Sequence, residues 1–505
     1  MKRKDFTSPN NKNGKNILEQ IARRVMLEHG FQPDFSAAAL DELAKIRNGN
    51  EATNVTVKDL RQLLWASIDN DDSLDLDQLT VAEVLPDNNV KIRVAVADVD
   101  ALVKKNSAID GHAYQNTTSV YTAGKTFPML PEQLSTNLTS LNYQADRPAT
   151  VIEMIIDDAG EIKSSDIYSA RVNNHAKLAY NAVAAWLEGK AAAPDKAHPV
   201  EPALADNLRI QDRVAQNLRA QRLKRGALEL QTLETRPIFD GNEISDLQLD
   251  EPNRAKEIIE DFMIAANDVT ALFLQVKQIP SLRRVVRTPK RWPRIVEIAA
   301  QDNFQLPPEP DAKALADFLI KQKSADPVRF PDLSLIIIKL LGSGEYVVEL
   351  PNEPSPGHFG LAVKDYTHST APNRRFPDLV TQRILKAILS GSSMPYSNSE
   401  LMALAKHCTE KEDDANKVER QVAKSAAAML LSSRIGTRFD AICTGAADKG
   451  TWVRIFQPPI EGRLARGYRG VDVGNRLRVQ LIHVDIDKGF IDFEKVDKLM
   501  TRRYL

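Results

Sequence analysis

The sequence predicts an α+β protein with a short N-terminal helical region and a C-terminal all-β barrel of the OB type. Strand-like alternation dominates residues 61–170, and apolar residues recur at helical spacing through much of 175–434. From residue 435 onward, short apolar runs alternate with Gly or Asp turns. A chain of 505 residues is long enough for about three domains. The expected units are an N-terminal tail with a small helical region (1–60), a central domain (61–434) and the barrel (435–505).

The N-terminal region is expected to form a helical lead-in that is split near Pro33. Its apolar residues recur at helical spacing between residues 17 and 47. They follow a polar, basic start that has no apolar stretch of the kind found in a secretory signal.

Composition narrows the class of protein. The most apolar run, residues 333–341, is interrupted by Lys339 and is too short to span a bilayer. Cys408 and Cys443 are isolated, which excludes a disulfide framework and a cysteine zinc site. A reducing, cytoplasmic location without membrane contact is therefore expected.

Positive charge is concentrated in two runs, although the formal net charge is only −1. Residues 283–294 read RRVVRTPKRWPR and residues 219–225 read RAQRLKR. Such runs are usually solvated helix faces, but two of them in a neutral chain would also suit a channel that binds phosphates. The sequence leaves both interpretations open.

An acidic cluster at residues 67–78, SIDNDDSLDLDQ, is the strongest chemical signal. It contains Asp69, Asp71, Asp72, Asp75 and Asp77. A solvated acidic loop is the ordinary interpretation. Here the cluster follows an apolar, strand-like segment, and its last two aspartates alternate with leucines as on an extended strand, which favours a site for Mg²⁺ or Mn²⁺. An EF-hand loop is excluded, because its sixth position would be Leu74 and its twelfth Thr80 rather than Gly and Glu.

The C-terminal strands predict a barrel with an aromatic face. Trp452 and Phe456 alternate with Val453 and Ile455. Four arginines lie nearby: Arg454, Arg463, Arg466 and Arg469. Aromatic rings beside arginines suit single-stranded nucleic acid, because bases stack on the rings and the arginines neutralise phosphates. An SH3-like barrel would account for the same strand pattern.

Five blocks, in the same order, resemble the ribonuclease II family, the RNB-type 3′→5′ exoribonucleases. They are the acidic cluster, ADVDALVKKNSAID (97–110), TSVYTAGKTFPMLPEQLSTNLTSL (118–141), IIEDFMIAAN (258–267) and HFGLAVKDYTHSTAPNRRFPDL (358–379). The C-terminal strands look like the S1-like OB domain of that family. The resemblance implies an RNB catalytic domain with a mixed sheet surrounded by helices. Ahead of it only the short helical region is expected, without cold-shock domains.

The resemblance implies a catalytic site of metal-binding aspartates and one arginine. Asp69, Asp75 and Asp77 fall on the family's metal-site aspartates, and Arg374 matches its phosphate-contacting arginine. The implied cofactor is Mg²⁺ or Mn²⁺.

Gln78 departs from the family, which usually has a fourth aspartate at this position. An amide oxygen can still bind a hard cation, so Gln78 is expected among the metal ligands with one negative charge fewer. The departure puts the affinity for a second metal ion in question. Asp71 and Asp72 could compensate from the adjacent loop.

Residues that contact the 3′ end of RNA are also implied by the resemblance. Tyr121 matches a tyrosine that stacks near the terminal nucleotide, and Tyr180 matches one that contacts the same end. Glu260 resembles the carboxylate that reads the terminal ribose, with Asp261 as the alternative. Leu230 lies where some relatives have phenylalanine, so a weaker clamp is expected.

Three further residues are candidates for RNA contact. Arg375 lies beside Arg374, and Trp452 lies on the aromatic face of the barrel. His368 could contact phosphate, although a lone histidine is more often structural.

The resemblance implies a hydrolytic 3′→5′ exoribonuclease that degrades single-stranded RNA to nucleoside 5′-monophosphates by a two-metal-ion mechanism. The alternative is an RNB-domain RNA-binding protein with weakened catalysis, which Gln78 favours and the retained aspartates with Arg374 argue against. A phosphorolytic nuclease or a DNA exonuclease is disfavoured by the ribose-reading carboxylate and by the absence of a separate inorganic-phosphate motif. The protein is expected to be a monomer.

Overall fold

The computed structural model describes residues 13–46, 57–191, 202–232, 234–250, 252–353, 357–363, 365–447 and 449–496. The α-helices in these ranges are α1 Gly14–Glu28, α2 Ala37–Lys45, α3 Ala108–Asn116, α4 Tyr180–Leu187, α5 Pro202–Lys224, α6 Arg254–Val276, α7 Trp292–Gln301, α8 Ala312–Ala325, α9 Phe330–Leu341, α10 Phe376–Ser390 and α11 Asn398–Leu431. A π-helical turn spans Gln133–Leu138, and 3₁₀ turns span Val99–Ala101, Phe359–Leu361 and Ser432–Arg434. The predicted tail ahead of residue 13 lies outside the described residues.

The strands form one large sheet, three two-stranded pairs and one barrel within the described ranges. Their bounds are β1 Lys58–Asp59, β2 Ala66–Asp69, β3 Gln78–Val84, β4 Val90–Ala97, β5 Val120–Tyr121, β6 Thr126–Phe127, β7 Asp146–Ile156, β8 Ile162–Asn173, β9 Ala176–Ala179, β10 Glu234–Asp240, β11 Glu243–Asp250, β12 Ser281–Val285, β13 Glu345–Glu349, β14 Arg438–Ala447, β15 Gly450–Ile455, β16 Glu461–Arg466, β17 Arg476–Asp485 and β18 Phe490–Lys495.

The central domain is built on a mixed sheet in the order β1-β8-β7-β4-β3-β2-β9. Antiparallel pairs form its centre, and parallel pairs add β1 and β9 at the two edges. Strand β4 shows why both faces are covered: Ile92, Val94 and Val96 pack in a cluster with residues of α5, α6 and α10, and Ala95 and Ala97 pack in another cluster on the opposite face. The mixed sheet with surrounding helices confirms the predicted α+β class.

Two local predictions at the edge of this sheet were wrong. Asp75 and Asp77 do not lie on a strand, because β3 begins at Gln78 and the segment before it is irregular. Helical spacing was expected from residue 175 onward, but Ala176–Ala179 pair in parallel with β2 before α4 begins. A short apolar run is ambiguous between helix and strand, and here an open sheet edge selected the strand.

The basic runs are largely neutralised within the fold. Arg283 is 1% exposed and binds Glu349 through two nitrogens, at 2.9 and 3.2 Å. Arg284 binds Glu412 at 2.9 Å, and Arg219 binds Glu229 at 2.6 Å. Arg283 and Arg284 therefore hold elements together, whereas Arg219 also lines a second cavity, of about 410 Å³, together with Lys256 and Glu260.

The C-terminal strands close into a barrel in the order β14-β15-β16-β18-β17, with β14 pairing to β17. The third and fifth strands of the barrel, β16 and β18, run parallel, and the other neighbours run antiparallel. This order is that of an OB fold, which confirms the predicted barrel type over the SH3-like alternative.

The barrel is joined to the central domain by apolar packing and one buried ion pair. Ala428 and Leu431 of α11 belong to the same apolar cluster as Val453 of β15. Arg454 of β15 meets Asp332 of α9 at 3.0 Å, and the side chains are only 13% and 10% exposed. Burial raises the pKa of Asp332, and the Arg454 guanidinium opposes this shift.

No helix in the described ranges is long and apolar enough to cross a membrane. Cys408 and Cys443 are both buried and form no disulfide, in agreement with their isolated positions in the sequence.

Arg454→Met should weaken docking of the barrel, because it leaves the Asp332 carboxylate buried without its partner. A loss of about 3 kcal/mol is expected, and the double variant Arg454→Met/Asp332→Leu should regain most of it. Urea unfolding of the three proteins measures the effect. A double variant that is as unstable as the single one would show that the pair is not what holds this contact.

Candidate active site

A cavity of about 480 Å³ opens where β2, β3, α4, α6 and the segment before α10 meet. Eight residues singled out from the sequence line it: Asp69, Asp75, Asp77, Gln78, Tyr121, Tyr180, Glu260 and Arg374. They come from six separate parts of the chain. The structure therefore brings the predicted acidic, aromatic and basic groups to one place, and their individual roles stay predictions.

The ends of two neighbouring strands position the first of these groups. Asp69 is the last residue of β2 and lies in register with Ala179 of β9. Tyr180 follows as the first residue of α4, so the parallel pair places its ring at the level of the Asp69 carboxylate. Burial, and then the charge of Asp69, raise the pKa of the Tyr180 phenol. This tyrosine is therefore a neutral ring at the wall of the cavity.

Asp77 is the most deeply buried acid of the cavity, with 3% of its surface exposed. Its Oδ1 accepts the backbone N–H of Asn373 at 3.0 Å, and its Oδ2 accepts Arg374 Nε at 3.2 Å. Burial raises the pKa of Asp77 to about 7, and Asp75 and Asp378 add to the shift, while Arg374 and the Asn373 N–H oppose it. The carboxylate is therefore held in a position where its negative charge is costly.

Asp75 shares this environment from the irregular segment before β3. Burial raises its pKa, and the charge of Asp69 contributes in the same direction. The Tyr121 hydroxyl donates to Asp75 Oδ2 at 3.3 Å, and 44% of the tyrosine remains exposed. Tyr121 therefore contacts the acidic cluster with its hydroxyl while its ring stays accessible.

Residues 370–374, here called the arginine loop, carry Arg374 into the cavity. The backbone N–H of Ser119 donates to the Arg374 carbonyl at 2.9 Å. The backbone N–H of Ala371 donates to Asp378 Oδ1 at 2.8 Å. These bonds leave the Arg374 side chain 41% exposed beside Asp77, where it lines the open space of the cavity.

Three residues predicted to contact RNA lie outside this cavity. Arg375 points the other way and binds the fully buried Asp378 at 2.8 Å. His368 Nδ1 lies 2.8 Å from the Tyr346 hydroxyl, and burial holds the pKa of the imidazole well below its usual range. Both side chains lie behind the arginine loop. There the neutral histidine and the paired arginine each have a partner within the protein and do not face the cavity.

Trp452 lies in a separate cleft of about 390 Å³ between the barrel and α7–α9. Its side chain is half-buried, with Phe330 and Ile336 across the cleft and Arg291, Arg329 and Lys339 also lining it. Of the predicted aromatic face, Trp452 therefore faces the helices of the central domain, and Phe456 does not line this cleft.

The structure also shows where the alternative candidates for the ribose-reading carboxylate and for the metal ligands lie. Asp261 is 1% exposed and pairs with Arg222, so Glu260 is the carboxylate that lines the cavity. Asp71 and Asp72 are exposed and are not part of the cavity lining.

Lys256 is a cavity residue that sequence analysis missed. It lies four positions before Glu260 on α6, so both side chains project from one helix face. Ile259 and Met263 complete this face, and Asn70 and Ser73 line the cavity from the acidic segment. The spacing of Lys256, Ile259, Glu260 and Met263 was a signal available in the sequence.

The donor chemistry of the cavity fits a hard divalent cation, although the described His, Cys, Asp and Glu side chains contain no group of three that already converges on an ion position. Asp69, Asp75 and Asp77 supply carboxylate oxygens, and burial raises the pKa of the last two. A cation would relieve this cost of burying negative charge. The Gln78 amide donates a hydrogen bond from its Nε2 to the carbonyl oxygen of Thr370.

Comparison with known proteins identifies the family. The model of the RNB domain matches residues 57–391, and the model of the RNase II-type exonuclease C-terminal S1 domain matches residues 437–496. The chain belongs to the ribonuclease II (RNB) family and carries its C-terminal S1 domain.

Individual relatives agree with this assignment. Ribonuclease R of Vibrio parahaemolyticus is 30% identical over 88% of this chain and 57% of its own length, so the chain spans a little over half of that relative. The structure of Mycoplasma genitalium RNase R in complex with ribose-methylated single-stranded RNA superimposes with a TM-score of 0.85 at 24% identity, covering 95% of this chain and 78% of that one. Yeast Ssd1, described as a pseudonuclease, superimposes with a TM-score of 0.67 at 15% identity, covering 94% of this chain and 59% of that one.

Without divalent cations, Asp77→Asn should stabilise the protein more at pH 8 than at pH 4.5. The folded-state pKa of Asp77, about 7, lies above its ordinary value of 3.8. Folding therefore takes up a proton between these values, and wild-type stability falls as the pH rises through them. The gain at pH 8 should be on the order of 2–4 kcal/mol. Urea unfolding at the two pH values measures it, with the exposed Asp72→Asn as control. Equal gains at both pH values would contradict the assignment of a buried, costly charge.

Proposed function

We propose that the protein is a hydrolytic 3′→5′ exoribonuclease that degrades single-stranded RNA and releases nucleoside 5′-monophosphates. The observation that carries the proposal is the position of Asp77, buried among other carboxylates and bonded to Arg374 in a cavity that also holds two tyrosines. Acids that would bind cations, a basic group for phosphate and rings for bases are the groups that this reaction needs. Membership in the RNB family and the similarity to ribonuclease R support the same reaction.

The cavity residues would have different tasks in this reaction, according to the chemistry of their side chains. Arg374, partly exposed beside Asp77, would neutralise charge that develops on the non-bridging oxygens of the scissile phosphate. Tyr121 and Tyr180 would stack against the terminal bases and orient them. Glu260, exposed on the α6 face, would accept a hydrogen bond from the terminal 2′-hydroxyl, which distinguishes RNA from DNA.

Asp69, Asp75 and Asp77 are the residues that would hold Mg²⁺ or Mn²⁺. When bound, two such ions supply activation of water and stabilisation of phosphate charge for phosphodiester hydrolysis. The three carboxylates would otherwise repel an approaching phosphate, so the cation also makes the cavity accessible to an anionic substrate.

The second candidate is an RNA-binding protein of the same fold without catalysis. The similarity to yeast Ssd1, a pseudonuclease, is the reason to consider this candidate, because the fold alone does not imply cleavage. The assembled acids and Arg374 favour the enzyme. Incubation with a 5′-labelled oligoribonucleotide, with and without Mg²⁺ or Mn²⁺, separates the two: a ladder shortened from the 3′ end supports the enzyme, and binding without a ladder supports the alternative.

Asp77→Asn should abolish cleavage and leave RNA binding nearly intact. One carboxylate supports the catalytic centre but contributes little to a long surface of phosphate contacts. Gel shift and single-turnover cleavage of the same labelled RNA measure the two properties. Turnover at the wild-type rate would exclude the cavity as the catalytic site.

Trp452→Leu should weaken binding of a long single strand by about 1–3 kcal/mol, the usual contribution of one stacked base, while single-turnover cleavage of bound RNA stays unchanged. Trp452 lies in the cleft between the barrel and α7–α9, separate from the acidic cavity. Tyr468→Leu is the control, since this aromatic residue of the barrel is exposed and does not line the cleft. Equal losses in both variants would argue against a specific contact at Trp452.

The proposal includes a cytoplasmic location and a monomeric state. The unpaired, buried cysteines suit a reducing compartment. Cell fractionation and light scattering of the purified protein test the two statements.

A further inference from the structure

We propose that Gln78 is a positioning residue that ties the arginine loop to the central sheet, and that it is not a cation ligand. The inference rests on the proposed function, because it concerns the same cavity. It assigns Gln78 a task other than the metal ligation expected from the sequence.

Gln78 reaches one end of the loop, while the preceding residue reaches the other. Gln78 opens β3, and its backbone pairs with Val96 of β4, so the central sheet fixes its position. Its Nε2 donates to the carbonyl of Thr370. Asp77, one position earlier, accepts the N–H of Asn373 at 3.0 Å. Two consecutive residues at the start of β3 therefore contact the segment that presents Arg374 near both of its ends.

The partner of Gln78 fixes the orientation of its amide. A carbonyl oxygen only accepts hydrogen bonds, so the NH₂ group of the glutamine must face Thr370. A carboxylate at this position has no hydrogen to donate, and its oxygen would repel that of Thr370. Aspartate is also one methylene shorter. The bond to the loop is thus specific to an amide of this length.

The charge of the cavity is consistent with this division of tasks. When all of these groups are ionised, Asp69, Asp75, Asp77 and Glu260 bring four negative charges to the cavity, and Lys256 and Arg374 bring two positive charges. One divalent cation would neutralise the remaining charge. The acids that would hold a cation and the amide that holds the loop are therefore separate groups on adjacent residues.

The consequence for the reaction is the placement of the Arg374 guanidinium. Its backbone is held by Ser119, and the loop before it by Asp378. Loss of the bond at Thr370 would leave the first residue of the loop held less tightly. Arg374 would then spend less time where phosphate charge develops, which lowers turnover more than substrate affinity.

Gln78→Met tests the proposal, because methionine has a similar length and can neither donate to Thr370 nor offer a hard oxygen to a cation. Backbone hydrogen exchange at residues 371–375 should become faster. Calorimetric titration with Mn²⁺ alone should give the wild-type affinity within about twofold. The kcat should fall by about 10- to 100-fold with KM nearly unchanged, the usual cost of removing a group that orients a catalytic residue.

Gln115→Met is the matched control, since the Gln115 Nε2 also donates to a backbone carbonyl, that of Gly30 at 2.9 Å, and Gln115 does not line the cavity. It should leave all three measurements unchanged. Gln78→Asp provides a second variant: it should also speed exchange and lower kcat, whatever its Mn²⁺ affinity.

Two results from Gln78→Met would overturn the proposal: a tenfold weaker Mn²⁺ affinity, which would make Gln78 a ligand, or unchanged exchange of the loop. Faster cleavage by Gln78→Asp would also overturn it. If the wild-type protein does not cleave RNA, the proposed function fails, while exchange and Mn²⁺ binding still decide whether Gln78 holds the loop.

Discussion

The contact between Asp77 and the arginine loop is the constraint on which the site depends. Asp77 and Asn373 are 296 positions apart in the chain, yet the backbone N–H of Asn373 donates to the Asp77 carboxylate at 3.0 Å. The bond requires the loop to lie against the start of β3, and this in turn requires α10 to pack on the sheet directly after the loop. Burying a charged carboxylate costs free energy, so the groups that bond to Asp77 must be held in a particular arrangement around it.

Adjacent residues with similar side chains are separated by the fold into different tasks. Glu260 lines the cavity, while Asp261, one position on, is buried against Arg222. Arg374 faces Asp77, while Arg375 faces Asp378. Successive residues of a helix point about 100° apart, so α6 cannot present both of its acids to one cavity. Residue type alone does not distinguish the two members of such a pair. Their side chains carry the same functional group and differ only in the neighbours that the fold gives them.

Similarity of fold and similarity of chemistry carry different weight for this protein. The same architecture superimposes on an RNase R and on a protein described as a pseudonuclease. The fold alone therefore does not establish activity, and the proposed reaction rests on the set of groups in one cavity: the acids, the basic side chain beside them and the loop that holds it. Gln78 is informative for this reason, since its side chain lines the same cavity and bonds to that loop.

The sequence by itself determined the α+β class, the OB barrel and the family, because these depend on periodicity and on ordered blocks of residues. It also selected eight residues that line one cavity. Only the tertiary structure showed that His368 and Arg375 lie behind the arginine loop, that Trp452 faces the helices of the central domain, and that Lys256 joins Glu260 at the cavity. It likewise showed that residues 176–179 form an edge strand and that Arg283 and Arg284 pair with acids distant in the chain. The physical reason is common to all of these: burial and pairing of a polar side chain depend on neighbours brought from distant segments, which local sequence patterns do not contain.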